Sequence, residues 1–73
     1  MTVEEAYQRY GAKQFVASEG QDILTVSRLI YNSDSETYSN VLRALNPVLN
    51  WSYLRSGQVL SYIDASVITS YLY

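Results

Sequence analysis

The chain has 73 residues, of which 48% are hydrophobic, and it contains eight Tyr but no Cys and no His. This length predicts one small domain, which buries only ~60% of the surface that its unfolded chain exposes. Small domains are usually reinforced by disulfides, metals or partners. Without Cys and His there is no disulfide, no zinc or iron–sulfur site and no Ser–His or Cys–His nucleophile pair. A partner therefore remains as the reinforcement.

The charge pattern disfavours further classes of protein. The net charge is −2, and the five cations are scattered along the chain, whereas nucleic-acid binding requires clustered cations. No apolar run approaches the ~18–20 residues that span a bilayer. The first residues, Met-Thr-Val-Glu-Glu, are acidic and unlike a secretory signal. We therefore expect the cytosol, or a particle assembled there, as the location.

The first predicted element is a helix over residues 2–10. Thr2 and Glu5 have the spacing of a capping box. An apolar stripe at helical spacing is formed by Val3, Ala6, Tyr7 and Tyr10. Gly11 suits the left-handed conformation with which many helices end.

A strand is predicted over residues 13–17, with Phe15 and Ala17 on one face, followed by a turn at 18–21. Asp22 is then a candidate N-cap for a second helix that ends at Asn32. The apolar stripe of this helix is predicted to contain Ile23, Val26, Leu29 and Ile30.

Ser33 and Glu36 form a second possible capping box, which predicts the start of a third helix. Its apolar stripe consists of Tyr38, Val41, Leu42 and Leu45. Asn46-Pro47 ends this helix, and a loop over 47–57 leads to a strand over 58–63. Residues 65–73 are uncharged and rich in β-branched and aromatic side chains, which predicts a further strand.

Two patterns of oxygen-bearing side chains do not lead to a site. Residues 32–36 alternate like the start of a calcium loop, but Thr37 stands where Gly is needed and Arg43 where the bidentate Glu is needed. Glu5 and Asp22 are assigned to helix caps, so the carboxylates offer no pair that would face each other across a glycosidase cleft. We therefore expect no metal, no cofactor, no catalytic residue and no enzymatic activity.

The order of these elements and four motifs resemble a LysM domain over about residues 13–63. The motifs are Gly20-Gln21-Asp22-Ile23, Val26-Ser27, Leu45-Asn46-Pro47-Val48-Leu49 and Leu54-Arg55-Ser56-Gly57-Gln58-Val59-Leu60. The resemblance implies an α+β fold, LysM-like βααβ with an added N-terminal helix and a C-terminal strand-like extension. The corresponding division is 1–12 for the helical extension, 13–63 for the LysM-like domain and 64–73 for the C-terminal extension.

Ile30-Tyr31-Asn32 falls where the small LysM-type tail proteins of contractile-tailed phages have Tyr-Tyr-Gly. This similarity implies a structural protein of the virion, in the tail baseplate or hub, that is assembled in the host cytoplasm and holds neighbouring tail proteins together. One alternative is a glycan-binding LysM module that recognises polymers of N-acetylglucosamine such as peptidoglycan. Another is an accessory subunit of a related injection machine.

Two sets of candidate binding residues follow. Aromatic and apolar residues of the last loop and tail are the predicted contacts to other tail proteins, namely Trp51, Tyr53, Tyr71, Leu72 and Tyr73. The glycan groove that the resemblance implies consists of Gly20, Gln21, Asp22, Ile23, Asn46, Pro47, Asn50 and Trp51.

Overall fold

Two short strands lie among the helices of the chain in a computed structural model, which describes residues 1–72 and the side chains of residues 1–70. The helices are α1 (Val3–Tyr10), α2 (Ile23–Tyr31), α3 (Glu36–Leu45) and α4 (Ala65–Val67), and the strands are β1 (Lys13–Val16) and β2 (Val59–Tyr62). A turn of π-helix over Ile68–Leu72 continues α4. Within the described residues, the four helices and one antiparallel sheet form a small α+β fold.

The predicted starts of α1 and α2 and the predicted end of α2 are confirmed, whereas Gly11 has φ 78° and ψ 171° and does not adopt the left-handed helical conformation predicted for it. The Thr2 hydroxyl accepts a hydrogen bond from the Glu5 amide at 3.1 Å, and the Glu5 carboxylate accepts one from the Thr2 amide at 3.2 Å. Asp22 accepts from the Thr25 amide at 2.9 Å. Asn32 ends α2 in the left-handed conformation, with φ 54° and ψ 36°. Each of these caps depends on residues within one helical turn, so it can be predicted from the sequence alone.

The predicted start of α3 is wrong by two residues. Ser35 is the N-cap, and its hydroxyl accepts from the Thr37 amide at 3.3 Å. Ser33 stays in the turn between the helices because its carbonyl accepts a hydrogen bond from the Ser27 hydroxyl at 2.8 Å. The predicted stripe of α2 also needs correction, since Leu29 is exposed.

The predicted C-terminal strand is also wrong, because residues 65–72 are helical. Ile68 is fully buried in a cluster with Ala6, Val41 and Ile63, and the helical turn brings its side chain there. The Thr69 hydroxyl donates to the Ala65 carbonyl at 3.1 Å, which satisfies a helix carbonyl locally. Tertiary packing thus overrides the weak strand propensity of β-branched residues.

The buried side chains form two clusters. The first lies between the sheet, α2 and α3, and it contains Ala17, Ile23, Val26, Leu42, Leu54 and Leu60. The second lies under α1 and the C-terminal helix, and it contains Ala6, Val41, Ile63 and Ile68. Tyr31 packs against both clusters. Its ring stacks on Tyr38 with 4.5 Å between centroids, and its hydroxyl donates to the Ile63 carbonyl at 2.8 Å.

Candidate functional site

A cleft of about 550 Å³ opens between the start of α2, one face of α3 and the loop after Trp51. We call it the α2–α3 cleft. Its lining consists of Asp22, Ile23, Leu24, Glu36, Ser39, Arg43, Trp51 and Ser52. It therefore combines two carboxylates, a guanidinium and an indole in one concave surface.

Backbone hydrogen bonds fix the loop that forms one wall of the cleft. The Ile23 amide donates to the Trp51 carbonyl at 3.1 Å, and the Leu54 amide donates to the Gln21 carbonyl at 2.7 Å. The Gly20 amide donates to the Leu54 carbonyl at 2.8 Å. Gly20 has φ +82°, a backbone conformation that residues with a Cβ atom rarely adopt. Glycine has no Cβ atom and can therefore make this turn. The loop is thereby held against the first turn of α2.

Trp51 is held from two sides. Its Nε1 donates to the Asn46 carbonyl at 3.2 Å, and its ring packs against the first core cluster. The indole is half-buried, and its remaining surface lines the cleft. A fixed aromatic surface of this kind suits stacking, apolar contact or a cation.

The charges of the cleft are separated along α3. The Glu36 carboxylate makes no ion pair or hydrogen bond with a described residue, whereas Arg43 donates to the neutral Asn40 amide oxygen at 3.3 Å. Seven residues of α-helix place them about 10 Å apart along the axis. Asp22, the N-cap of α2, also lines the cleft, and its hydrogen bonds from Thr25 lower the pKa of its carboxyl. The cleft thus contains two carboxylates and a guanidinium.

Ser39 lines the cleft, and its hydroxyl is an unsatisfied polar atom buried beneath that surface. The residue is only 3% exposed, and its Oγ has no hydrogen-bond partner among the described atoms. A serine inside a helix commonly bonds the carbonyl one turn earlier, but Ser39 does not. A buried hydroxyl without a partner costs about 1–3 kcal/mol.

The structure brings together three of the residues that the predicted glycan groove contains, namely Asp22, Ile23 and Trp51. Asn46 is buried and holds β2, because its amide donates to the Ser61 carbonyl and accepts from the Ser61 amide, each at 2.8 Å. The other predicted groove residues lie outside the lining of the cleft, and they are Gly20, Gln21, Pro47 and Asn50.

Sequence reasoning missed the contribution of α3 to this cleft. Glu36, Ser39 and Arg43 recur at i, i+3 and i+7, which places them on one helix face. That spacing was visible in the sequence. The groove that the resemblance implies consists of loop and turn residues, and it leaves this helix out.

The predicted contact residues differ in what surrounds them. Tyr53 is 49% exposed, and a hydrogen bond to Glu19 raises the pKa of its hydroxyl. Glu19 also accepts from the Ser56 amide at 3.1 Å, and both bonds lower the pKa of this carboxyl. Tyr73 and the side chains of Tyr71 and Leu72 lie outside the described part of the structure.

A second exposed surface lies on the outer face of the sheet. Val16 and Val59 are directly opposite each other in the register and are 61% and 52% exposed. Gln14 and Ser61 form the neighbouring pair on this face. Within residues 1–72, β1 and β2 pair only with each other, so each strand has an outer edge without a further strand.

Comparison of the chain with models of protein families, with curated proteins and with solved structures found no match. No helix among residues 1–72 has the length and apolar character that crossing a membrane requires. The described side chains also contain no cluster of three or more His, Cys, Asp or Glu that would hold a metal ion.

Proposed function

We propose that the chain is a LysM-like structural protein of a contractile phage tail, in the baseplate or hub, where it holds neighbouring tail proteins together. The resembled motifs supply structural roles that agree with this proposal. Gly20 makes the first turn, Asp22 caps α2, and the Asn46 side chain ties the end of α3 to β2. Gly57, with φ +88°, precedes the last strand of the proposed domain.

The observation that carries the proposal is the Val16–Val59 pair on the open side of the sheet. Two opposed valines that are each more than half exposed, on a two-stranded sheet, are an aggregation hazard in a free protein. In an assembled particle a neighbouring subunit would cover them. A small domain that lacks disulfides would gain stability from the same contact.

The direct test is to look for the chain in purified particles. Tailed phages and injection machines would be isolated from cells that encode the chain and analysed by mass spectrometry and cryo-electron microscopy. We expect the chain at a fixed copy number in the baseplate or hub. Its absence from particles, while it is abundant in the lysate, would overturn the proposal. Its presence in an injection machine without a phage would favour the accessory-subunit alternative.

Paired variants test the sheet surface itself. The double variant Val16→Thr and Val59→Thr keeps β-branched residues in both strands, so we expect little loss of stability. It should nevertheless lower incorporation into particles. The matched control is Val48→Thr, because Val48 is exposed in the loop after α3 and lies outside the sheet. Equal incorporation of both variants would contradict a role for this surface.

The second candidate function, binding of N-acetylglucosamine polymers, is favoured by the α2–α3 cleft. Three residues of the groove that the resemblance implies, Asp22, Ile23 and Trp51, line it together. Sedimentation with insoluble peptidoglycan or chitin tests this function. Retention that a Trp51→Ala variant loses, together with absence of the chain from particles, would replace the first proposal with the second.

A further inference from the structure

The outer edge of β1 carries an inference that goes beyond the proposed function. We propose that β1 of one chain pairs with β1 of a second copy, antiparallel and about a two-fold axis at Phe15. The two small sheets then join into one sheet of four strands, with the two β1 strands at its centre and a β2 strand on each side.

The register of the sheet determines which backbone groups of β1 point outward. The Ala17 amide donates to the Gln58 carbonyl at 2.8 Å, so the backbone groups of Ala17 point toward the β2 side. Successive residues of an antiparallel strand direct their N–H and C=O groups to opposite sides, so those of Gln14 and Val16 point away from β2. Neither residue has a backbone hydrogen-bond partner among residues 1–72. The edge of β1 therefore offers two amide donors and two carbonyl acceptors.

The outer edge of β2 is different because a side chain occupies it. The Asn46 amide group donates to the Ser61 carbonyl and accepts from the Ser61 amide, each at 2.8 Å, as a neighbouring strand would do. In β2 this leaves outward backbone groups only at Val59. α3 packs on β2, whereas among residues 1–72 only β2 packs extensively on β1. Each chain thus has one edge for strand pairing, so two copies form a closed dimer instead of an open filament.

The charges of β1 allow a second copy to approach this edge. The only charged residue of the strand is Lys13, and its ammonium group is paired with the Asp64 carboxylate at 2.9 Å. Unpaired charges on an edge strand, those of lysine above all, oppose pairing between copies. β1 therefore has no unpaired charge that would repel the same strand of another copy, although the whole chain has a net charge of −2.

One symmetric register uses every outward group of β1. Gln14 lies opposite Val16 of the second copy, and the two residues exchange both backbone hydrogen bonds, which the symmetry repeats. Phe15 then lies opposite Phe15 of the second copy, with Cβ atoms about 4.5–5.5 Å apart. Phe15 is only half-buried against the first core cluster, and aromatic pairs across strands stabilise a sheet. The sequence of β1 is thus complementary to itself.

Sedimentation equilibrium of the full chain, from micromolar to millimolar concentration, tests for the dimer. The paired strands are short, so we expect a weak equilibrium between monomer and dimer. Val16→Pro removes an outward donor and no bond to β2, and Pro is tolerated where the N–H of an edge strand faces solvent. The dimer loses two hydrogen bonds, so association should weaken about tenfold or more.

Val59→Pro is the matched control. Val59 lies directly opposite Val16 in the register, and its amide points outward on the other edge of the sheet. This variant perturbs the same sheet and the same residue type, but it should leave association unchanged.

Disulfide cross-linking tests the register without a proline in either strand. The chain has no Cys, so Gln14→Cys and Val16→Cys each introduce a single thiol. In the proposed register the Cα atoms of residue 14 in one copy and residue 16 in the other lie about 5.5 Å apart, which a disulfide spans. The same position in the two copies lies beyond the limit of about 7 Å. When the variants are mixed and oxidised, the mixed dimer should form severalfold faster than either homodimer.

Three outcomes would overturn the inference: a single monomeric species at millimolar concentration, equal weakening of association by Val16→Pro and Val59→Pro, or disulfide formation without preference for the mixed pair. A monomeric chain whose incorporation into particles is abolished by Val16→Pro alone would assign the edge to a strand of another protein. If the chain does not dimerise but is found in purified particles, the inference is wrong while the proposed function stands. A dimer of a chain that is absent from particles would give the opposite result.

Discussion

Asn46 is the residue whose side chain does the most to join separate elements. It is buried, and its amide group donates to the carbonyls of Leu42 and Ser61 and accepts from the Ser61 amide, at 2.8–3.0 Å. Asn46→Ala leaves the half-buried backbone groups of Ser61 and the carbonyl of Leu42 without these partners. Since each such loss costs about 1–3 kcal/mol, we expect a decrease of about 2–4 kcal/mol in the free energy of unfolding, measured by urea denaturation.

Asn40→Ala is the matched control for Asn46→Ala. Asn40 is exposed on α3 and its side chain contacts only Arg43 by a hydrogen bond, so its loss should change stability by less than about 0.5 kcal/mol. Similar unfolding free energies for the two alanine variants would show that the buried amide of Asn46 does not join α3 to β2.

Asp22 makes the free energy of unfolding of the chain depend on pH in the acidic range. Hydrogen bonds from Thr25 lower the pKa of its carboxyl in the folded chain. The unfolded chain therefore takes up the proton at a higher pH than the folded chain does. The stabilisation is fully present above the unfolded pKa of about 4 and is lost as pH falls through the lower folded pKa. We expect the urea midpoint to fall with acidification over this range.

Asp22→Asn separates the charge from the cap, because Asn is an equally good N-cap but does not titrate. This variant should lose less stability than the wild type when the urea midpoint is followed into acid. Thr25→Ala keeps the backbone donor and removes the hydroxyl, so its acid dependence should be intermediate. An identical acid dependence in all three chains would contradict the role of Asp22, and it would leave the lowered pKa values of Glu5 and Glu19 as the cause.

At the scale of elements, the C-terminal helix is part of the core. Ile68 is fully buried beside Ala6, Val41 and Ile63. We expect Ile68→Ala to lower the free energy of unfolding by about 2–4 kcal/mol and Ile68→Val to lower it by about 0.5–1.5 kcal/mol. Ser70→Ala, at an exposed position of the same segment, is the control. If Ile68→Ala were as stable as Ser70→Ala in urea denaturation, this segment would not be docked.

This docking changes how the predicted tail interface is tested. Deletion of 65–73 would remove Ile68 from the core, so a loss of assembly after that deletion would not identify an interface. Substitution of Tyr53 is cleaner, because its ring is half-exposed and its hydroxyl interacts with the exposed Glu19 carboxylate. The contact role of Tyr71, Leu72 and Tyr73 stays a prediction.

The helices and strands also show which parts of the fold can be predicted from the sequence. Thr2, Asp22 and Asn32 set helix ends through bonds within their own turn, and those ends were predictable. The strand predicted for 65–73 failed because the conformation of Ile68 depends on Ala6 and Val41, which are distant in the chain. The cleft is an intermediate case. The spacing of Glu36, Ser39 and Arg43 in the sequence predicts that they share one face of α3. Their position beside Trp51 depends on the packing of α2 against α3, which the sequence does not predict.

At the scale of the whole molecule, Tyr31 joins the two core clusters. Its ring stacks on the ring of Tyr38 and contacts the ring of Tyr62 edge-on, with 6.2 Å between the centroids of Tyr31 and Tyr62. Its hydroxyl donates a hydrogen bond to the Ile63 carbonyl. Burial raises the pKa of this hydroxyl, which agrees with its position inside the protein. A chain of 73 residues with clusters joined in this way should unfold as one cooperative unit.

The single Trp allows this cooperativity to be measured. Trp51 packs on the first cluster, and Ile68 belongs to the second. If the clusters unfold together, Ile68→Val must shift the urea midpoint seen by Trp51 fluorescence and the midpoint seen by far-ultraviolet circular dichroism by the same amount. If they unfold separately, the fluorescence midpoint stays at its wild-type value while the dichroism transition broadens. Tyr31→Ala, which removes the shared ring, should lower stability and separate the two midpoints.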